Sequence, residues 1–491
     1  MKGMGMELYE LHANVEQALG MVHATRGILG AEVCGSWYEE QVVQLRHDAE
    51  HPSDDRQALQ TRTTCGLSIL VIMADGERQT VGFGVTTDDL SRDGLLEALE
   101  MAKHHVVPEP WRFMLPCPLA VPTPDVLLHD PQVLTLLDEH LTQAGVEALD
   151  GALSTLQAAH HVRELQVSGT LRCQKEHLVI GNTSGLLVSD TTTGLLAHMA
   201  VHLTQAQSRG CGERVATHWQ DFEAYEAGVE AAQQALHTLG SRRIPGGEYQ
   251  VVFGPQAVAA LCEDVLIPAL SLDTLAAGSS PFAARQGDII AGALLTVRDD
   301  GRLPGMLGSR MMSGEGLPTG TSTLIEQGRL VHFLADAYHA QHLQSQVGAV
   351  APRNGMRHTT NGQSFGMRPG IFPTNIVCSS PEAVALPSLL APIEHGVYVG
   401  GLWRLTVPTG LRTGHCVGLV MGPSFMIRHG QLAEPIQPGT LQWQGNILEL
   451  LQGLTGVSTT QQPVALATRQ SLVLAPEWRC SQAHFAVVDE L

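Results

Sequence analysis

An uncharged run, Cys65-Gly66-Leu67-Ser68-Ile69-Leu70-Val71-Ile72-Met73, is followed by Asp75-Gly76 and then by Thr80-Val81-Gly82-Phe83-Gly84-Val85. Apolar and β-branched residues on both sides of an Asp-Gly pair read as two strands joined by a tight turn. Such a loop needs residues that tolerate positive φ. This hairpin commits the N-terminal part of the chain to antiparallel pairing, and residues 31–88 alternate around it in the manner of strands. Helical spacing precedes it over 7–30, at Leu8, Leu11, Val15, Leu19 and Val22, with Gly30 as a C-cap. Asp89-Leu90-Ser91 then opens a helix over 92–106.

The stretch from Val107 to Pro131 carries seven of the 26 prolines, shows no period, and reads as a linker. A helical pattern follows over 131–161, then strand-like segments at 164–170 and 177–187, then an Ala-rich amphipathic helix over 218–240. Pro245-Gly246-Gly247-Glu248-Tyr249-Gln250-Val251-Val252-Phe253 reads as a strand. Beyond 330 the apolar runs are short and broken by glycine and proline. With 51 glycines and 4% aromatics, turns and short strands are expected rather than long bundles. The expectation is an α+β protein. An N-terminal α+β domain of small antiparallel sheets with helices spans 1–106, followed by the linker at 107–131. A central segment at 132–243 completes that domain, a sheet-rich C-terminal domain spans 244–466, and a tail at 467–491 is left unassigned. No fixed-period repeat is visible.

The net charge of −20 repels phosphate backbones and argues against nucleic-acid binding. Nine scattered cysteines without a C-x-x-C pair argue against a disulfide framework and for a reducing compartment. No run of about 18 apolar residues is present, so no membrane span is expected. A cytoplasmic location follows as the expectation.

Between Gly278 and Leu330 the order of short motifs is distinctive. Gly278-Ser279-Ser280-Pro281-Phe282 leads to Gln286-Gly287-Asp288, Thr296-Val297-Arg298-Asp299-Asp300-Gly301, Gly314-Glu315-Gly316-Leu317-Pro318-Thr319 and Leu324-Ile325-Glu326-Gln327-Gly328-Arg329-Leu330. This series resembles the C-terminal domain of the TldD/PmbA family. Looser echoes extend the likeness over roughly 30–460. They include Asn182-Thr183-Ser184-Gly185-Leu186, the strand at 245–253, and Gln444-Gly445-Asn446-Ile447-Leu448-Glu449-Leu450-Leu451.

Active members of that family are zinc peptidases with H-E-x-x-x-H on a helix just upstream. Two imidazoles on successive turns hold the metal, and a carboxylate takes a proton from its water. No His-Glu pair occurs in this chain. Counting back from Gly278 at the family spacing reaches Glu263-Asp264-Val265-Leu266-Ile267-Pro268, where Glu263 and Pro268 replace both histidines and Asp264 replaces the glutamate. The remaining spacing, Val258, Leu261, Val265 and Ile267 to Leu270, reads as a helix packed into the core. The region matching the family's late cysteine reads Gly456-Val457-Ser458-Thr459-Thr460-Gln461-Gln462, and the usual F-D-D-E-G loop reads Met312-Ser313-Gly314-Glu315-Gly316.

The resemblance is therefore closest to the zinc-free PmbA, or TldE, kind. It implies a non-catalytic subunit without a cofactor of its own. A separate TldD-like chain would supply zinc, and the dimer would act on unfolded or leader peptides. By family position Glu315, Asn375 and Arg404 are candidates for holding peptide or partner, each also readable as a turn or salt-bridge residue. Two other readings stay open. One is a stand-alone metallopeptidase using Glu263, Asp264, His339 or Cys416 as unusual ligands. The other is an adaptor for a basic partner such as a topoisomerase. Asp336, His339 and His342 lie at helical spacing and read first as a solvated helix. His415 and Cys416 are adjacent on a strand and point to opposite faces, giving an exposed histidine and a buried cysteine. No G-x-S-x-G, phosphate loop or dinucleotide fingerprint appears.

Overall fold

The computed structural model describes residues 4–51, 53, 55–119, 127–159, 165–204, 208–359 and 363–488, with only the backbone of 4–8. Its N-terminal half uses one unit twice: a helix, three antiparallel strands and a second helix. The first unit is α1 (Met4–Ala24), β1 (Ile28–Asp48), β2 (Arg56–Asp75), β3 (Arg78–Thr87) and α2 (Arg92–His104). A short edge strand, β4 (Val106–Pro108), follows it. The second unit is α3 (Asp138–Ala158), β5 (Leu165–Asn182), β6 (Leu187–Leu203), β7 (Ser208–Ala216) and α4 (Ala224–His237). The units join through antiparallel β1 and β5, from Glu32 opposite Asn182 to Asp48 opposite Gln166. The sheet order is β4-β3-β2-β1-β5-β6-β7. The repeat lies in topology; its residues carry no periodic sequence signal.

Side chains alternate across a strand, so β1 sorts its residues cleanly. Ala31, Val33 and Trp37 pack under α1 and α2, while Val43 and Leu45 pack under α3 and α4. The opposite face carries Glu32 and Cys34 and meets the C-terminal half, where Cys34, Leu178, Ile180 and Leu186 enclose Met312. Glycines let the helices approach the outer strands. A Cβ on Gly82 or Gly84 would lie 1.7 or 1.9 Å from the carbonyl oxygens of Ala102 and Ala98. Gly210 and Gly212 stand in the same relation to Ala231 and Ala227, at 2.2 and 2.0 Å.

The hairpin forms as expected, with Met73 opposite Thr80 and Gly76 at φ 61. Ser91 caps α2 by accepting the Gly94 amide. Gly30 is not a helix cap. α1 ends at Ala24, Gly27 takes φ 90, and Gly30 lies within β1 opposite Ile72. The expected strands at 164–170 and 177–187 are joined as far as Asn182, because β5 runs unbroken through its polar middle; 183–186 turn the chain, Leu187 begins β6, and residue 164 lies outside the described residues. That middle is paired across the strands: Arg172 with Glu40 at 2.7 Å and Lys175 with Glu39 at 2.7 Å. The proline-rich stretch is tied down in part. Val106–Pro108 pairs with β3, the Phe113 amide donates to Gln79 at 2.7 Å, and Trp111 stacks on His342.

The C-terminal half holds a six-stranded and a nine-stranded sheet. In the larger, Trp478–Val487 lies between Leu441–Asn446 and Gly247–Phe253, and Gly247–Phe253 runs parallel to His395–Val399. Residues 467–488 thus include the strands Leu472–Ala475 and Trp478–Val487. The helix Pro255–Leu261 touches strands of both sheets and is buried in a core with Phe253, Phe282, Leu324 and Trp443. Among the described residues, no helix is long and apolar enough to cross a membrane.

Candidate functional site

Pro255 starts the helix at its first turn, where a missing N–H costs nothing. Val258, Leu261, Cys262, Val265 and Leu266 are buried, as the apolar spacing requires. At Cys262–Leu266 the helix widens into a π turn, and Ile267 donates its amide to the Cys262 carbonyl. In a regular helix two residues five apart diverge by about 140°. The π turn's i to i+5 closure brings such positions to one side. Glu263 and Pro268, the two positions that the sequence resemblance sets against the zinc histidines, accordingly line one cavity of about 360 Å³. The opposite wall comes from Gly370–Pro373 and from Leu466, Thr468 and Ser471.

These residues do not fit zinc. Pro268 offers no donor atom. Glu263 is half-buried, and its Oε1 already accepts the Ala467 amide at 2.7 Å. Asp264 is exposed and stands outside the cavity lining. Burial raises the Glu263 carboxyl above its ordinary range; the Ala467 amide opposes this, and Asp264 adds to it. Among the described residues, one set of three His, Cys, Asp or Glu side chains converges closely enough for a metal. That set is Asp48, Glu50 and His51, and it includes none of Glu263, Asp264, His339 or Cys416. The stretch 456–462 does not line the cavity; 466–471 does, and it contains no cysteine.

Glu315, Asn375 and Arg404 occupy three different settings. Glu315 is buried and accepts the Ala337 amide at 3.0 and 3.2 Å, at the start of the helix Ala337–His342. Burial, with Asp336 beside it, pushes its carboxyl well above the usual range. In the same loop the Ser313 hydroxyl accepts the amides of Glu315 and Leu317 at 3.2 and 3.3 Å, contacts of the kind an aspartate makes in such turns. A Cβ at Gly314 would lie 2.8 Å from Arg357 Cγ, so an aspartate there has no room. Asn375 is fully buried. Its Oδ1 accepts the Gly308 amide at 2.9 Å, and its Nδ2 donates to the Asp300 carbonyl at 2.7 Å and to Ser309 at 2.9 Å. Arg404 is exposed on Gly401–Thr406, the end strand of the larger sheet, with its guanidinium 4.3 Å from the Trp403 ring centre.

Asp336 caps its helix by accepting the His339 amide at 2.7 Å, and the His339 ring also bonds to it at 2.8 Å. The His342 ring bonds to the Arg112 carbonyl at 2.7 Å and stacks on Trp111. His415 is exposed and Cys416 buried, as adjacent strand positions require.

Much of the distinctive 278–330 series braces the helix. The Ser280 hydroxyl donates to the Ala269 carbonyl at 2.6 Å, and Phe282, Val297, Leu324 and Leu330 share the core with Val258 and Val265. Asp299 accepts the Thr374 amide and hydroxyl at 2.7 and 2.9 Å and the Asn354 amide group at 2.7 Å. Sequence reasoning missed the cavity walls, Phe372, Leu466, Thr468 and Ser471 among them. They come from loops distant in the chain, and no local pattern marks them.

Residues 246–487 match the PmbA/TldA metallopeptidase C-terminal domain. The chain is 26% identical over 312 residues to the metalloprotease TldD homolog of Buchnera aphidicola subsp. Acyrthosiphon pisum, covering 60% of this chain and 61% of that one. It is 25% identical over 328 residues to the Haemophilus influenzae TldD homolog, covering 64% of each. The matches span less than two thirds of these relatives' length. TldE from Thermococcus kodakarensis superposes with a TM-score of 0.76 at 19% identity, covering 96% of this chain and 100% of that one. A Bacteroides thetaiotaomicron protein described as a candidate modulator of DNA gyrase gives 0.77 at 18%, covering 97% and 98%. These likenesses show the α+β fold: an N-terminal antiparallel sheet with helices and a sheet-rich C-terminal domain. The sequence matches bear the TldD name and the Thermococcus structure the TldE name, so the two kinds are not separated. Residues 246–487 thus match the PmbA/TldA metallopeptidase C-terminal domain, and the chain as a whole shares the fold of the Thermococcus TldE structure.

Proposed function

We propose that this chain is the non-catalytic, TldE-like subunit of a TldD-type peptidase. It completes a chamber with a separate zinc-bearing chain and holds unfolded or leader peptides while that chain cleaves them. One observation carries this reading: Glu263 and Pro268 share the cavity where the relatives' histidines would meet, and neither can ligate zinc as they do. The end strand Gly401–Thr406 also favours a peptide-holding role. An extended peptide can add to such an edge through main-chain hydrogen bonds, and Trp403, 48% exposed beneath Arg404, offers a sequence-tolerant contact.

The test is co-expression with a zinc-bearing TldD homolog. The expected result is a mixed dimer that cleaves an unstructured peptide. Changing the zinc-helix glutamate of the homolog abolishes cleavage, and Asp264→Asn in this chain leaves it intact. Cleavage by this chain alone would overturn the proposal.

A further inference from the structure

We propose that the cavity at Glu263 and Pro268 receives the side chain of a lysine or arginine from an extended peptide. The inference rests on the reading that this chain holds peptide, and it names the residue class held. The cavity combines a greasy passage with an acidic end. Ile267, Pro268, Phe372 and Leu466 give apolar wall for an aliphatic stem, and Glu263 and Asp273 supply the carboxylates. Long basic side chains use this division, with the methylenes against apolar surface and the charge at a polar end.

Among the described residues, no lysine, arginine or histidine lines the cavity. The charged group acting on Glu263 is Asp264, which has the same sign. Asp273 accepts the Ser271 hydroxyl at 2.5 Å and the Thr274 amide at 2.7 Å, both neutral donors. Two carboxylates therefore face this space without a cation of the described chain among its walls. Glu263 is half-buried and Asp273 exposed, and both accept only neutral donors, so the charge complement of this acidic end is a cation brought by the occupant. A metal ion is a poorer complement, because Glu263, Asp264 and Asp273 do not bring ligand atoms together. An acidic or phosphorylated side chain would meet like charge. The volume of about 360 Å³ lies within the range of small-ligand pockets, roughly 300–1,000 Å³.

The test uses fluorescein-labelled Gly/Ser peptides that differ at one central residue: arginine, citrulline, lysine, norleucine or glutamate. Anisotropy is read on the full chain. The expected result is that arginine and lysine bind about tenfold more tightly than citrulline and norleucine. The preference is lost in Glu263→Gln and in Thr274→Lys, which installs a resident cation, with circular dichroism reporting the fold of each. Equal binding of the arginine and citrulline peptides would overturn the inference, as would a preference that survives both folded variants. Displacement of the arginine peptide by zinc at one ion per chain would assign the pocket to metal and also overturn it. Gel filtration with the zinc-bearing homolog separates the two proposals. Pairing without charge preference removes this inference alone, and charge preference without pairing removes the subunit reading alone.

Discussion

Arg357 and Glu32, 325 residues apart, form an ion pair whose side chains are 2% and 6% exposed. The same guanidinium donates from Nε to the Gly314 carbonyl at 2.7 Å and from Nη1 to the Met367 carbonyl. One side chain thereby joins β1 to the loop at 312–316 and to the segment at 367. The pair lies on the sheet face away from the helices, where the two halves of the chain meet. Two charges are tolerated there because each is paired, although such a pair adds less stability than its geometry suggests.

Breaking this pair from one side is expected to be costly. Arg357→Met leaves Glu32 buried without its partner and should destabilise by about 3–5 kcal/mol. The double change Glu32→Leu with Arg357→Met should lose less than Arg357→Met alone, because it removes the stranded charge. Urea unfolding of the wild type, both single variants and the double variant measures the coupling.

Asp299 gives a pH dependence of defined sign. Burial raises its carboxyl from an ordinary 3.8 to about 6, against the opposing hydrogen bonds of Asn354 and Thr374. The folded chain thus holds this proton more tightly than the unfolded chain. Its contribution is fully present below about pH 4 and is lost as the pH rises through about 6, a change of about 3 kcal/mol. Asp299→Asn carries no such titration. Across pH 4 to 6 the stability gap between wild type and Asp299→Asn should shift against the wild type. A constant gap in chemical denaturation would refute this assignment.

The three family-position residues should separate in their effects. Asn375→Leu leaves the Gly308 amide and the Asp300 carbonyl without their partner in the interior, at a cost of about 2–3 kcal/mol. Arg404→Ala removes an exposed stacking contact and should change stability by less than about 1 kcal/mol. If the edge strand holds peptide, Arg404→Ala weakens peptide binding severalfold with the melting temperature nearly unchanged. A large loss of stability without a change in binding would make Arg404 a purely structural residue.

Local chemistry accounts for what was legible in the sequence. The Asp75-Gly76 turn and the helix start at Ser91 each depend on a few neighbouring residues, and each forms as read. The helix at 255–269 was visible from its apolar spacing, and its π turn was not, because both forms bury the same positions. The full length of β5 was hidden by Arg172 and Lys175, which read as solvent-facing until their partners on β1 are known. The cavity was hidden for a related reason. Its walls meet only after strands and loops far apart in sequence have packed, and residue types alone do not encode that meeting.

Restoring the lost residues tests whether identity alone separates this helix from a zinc helix. Glu263→His, Asp264→Glu and Pro268→His together would place two imidazoles on the side that the π turn already turns toward the cavity. Two imidazoles do not complete the tetrahedral set that zinc favours, so this variant should gain only weak zinc binding. Thr468 and Ser471 face the same cavity, and adding Thr468→Cys or Ser471→Cys should tighten it. Zinc at about a hundredfold over its dissociation constant stabilises by about 2.7 kcal/mol, which is readable as a rise of several degrees in melting temperature. The wild-type chain should show no shift with zinc or with chelator. A zinc-dependent shift in the wild type would show that residues outside Glu263–Pro268 ligate the metal. If the quadruple variant folds and binds no zinc, the backbone of this helix, and not its side chains, excludes the ion.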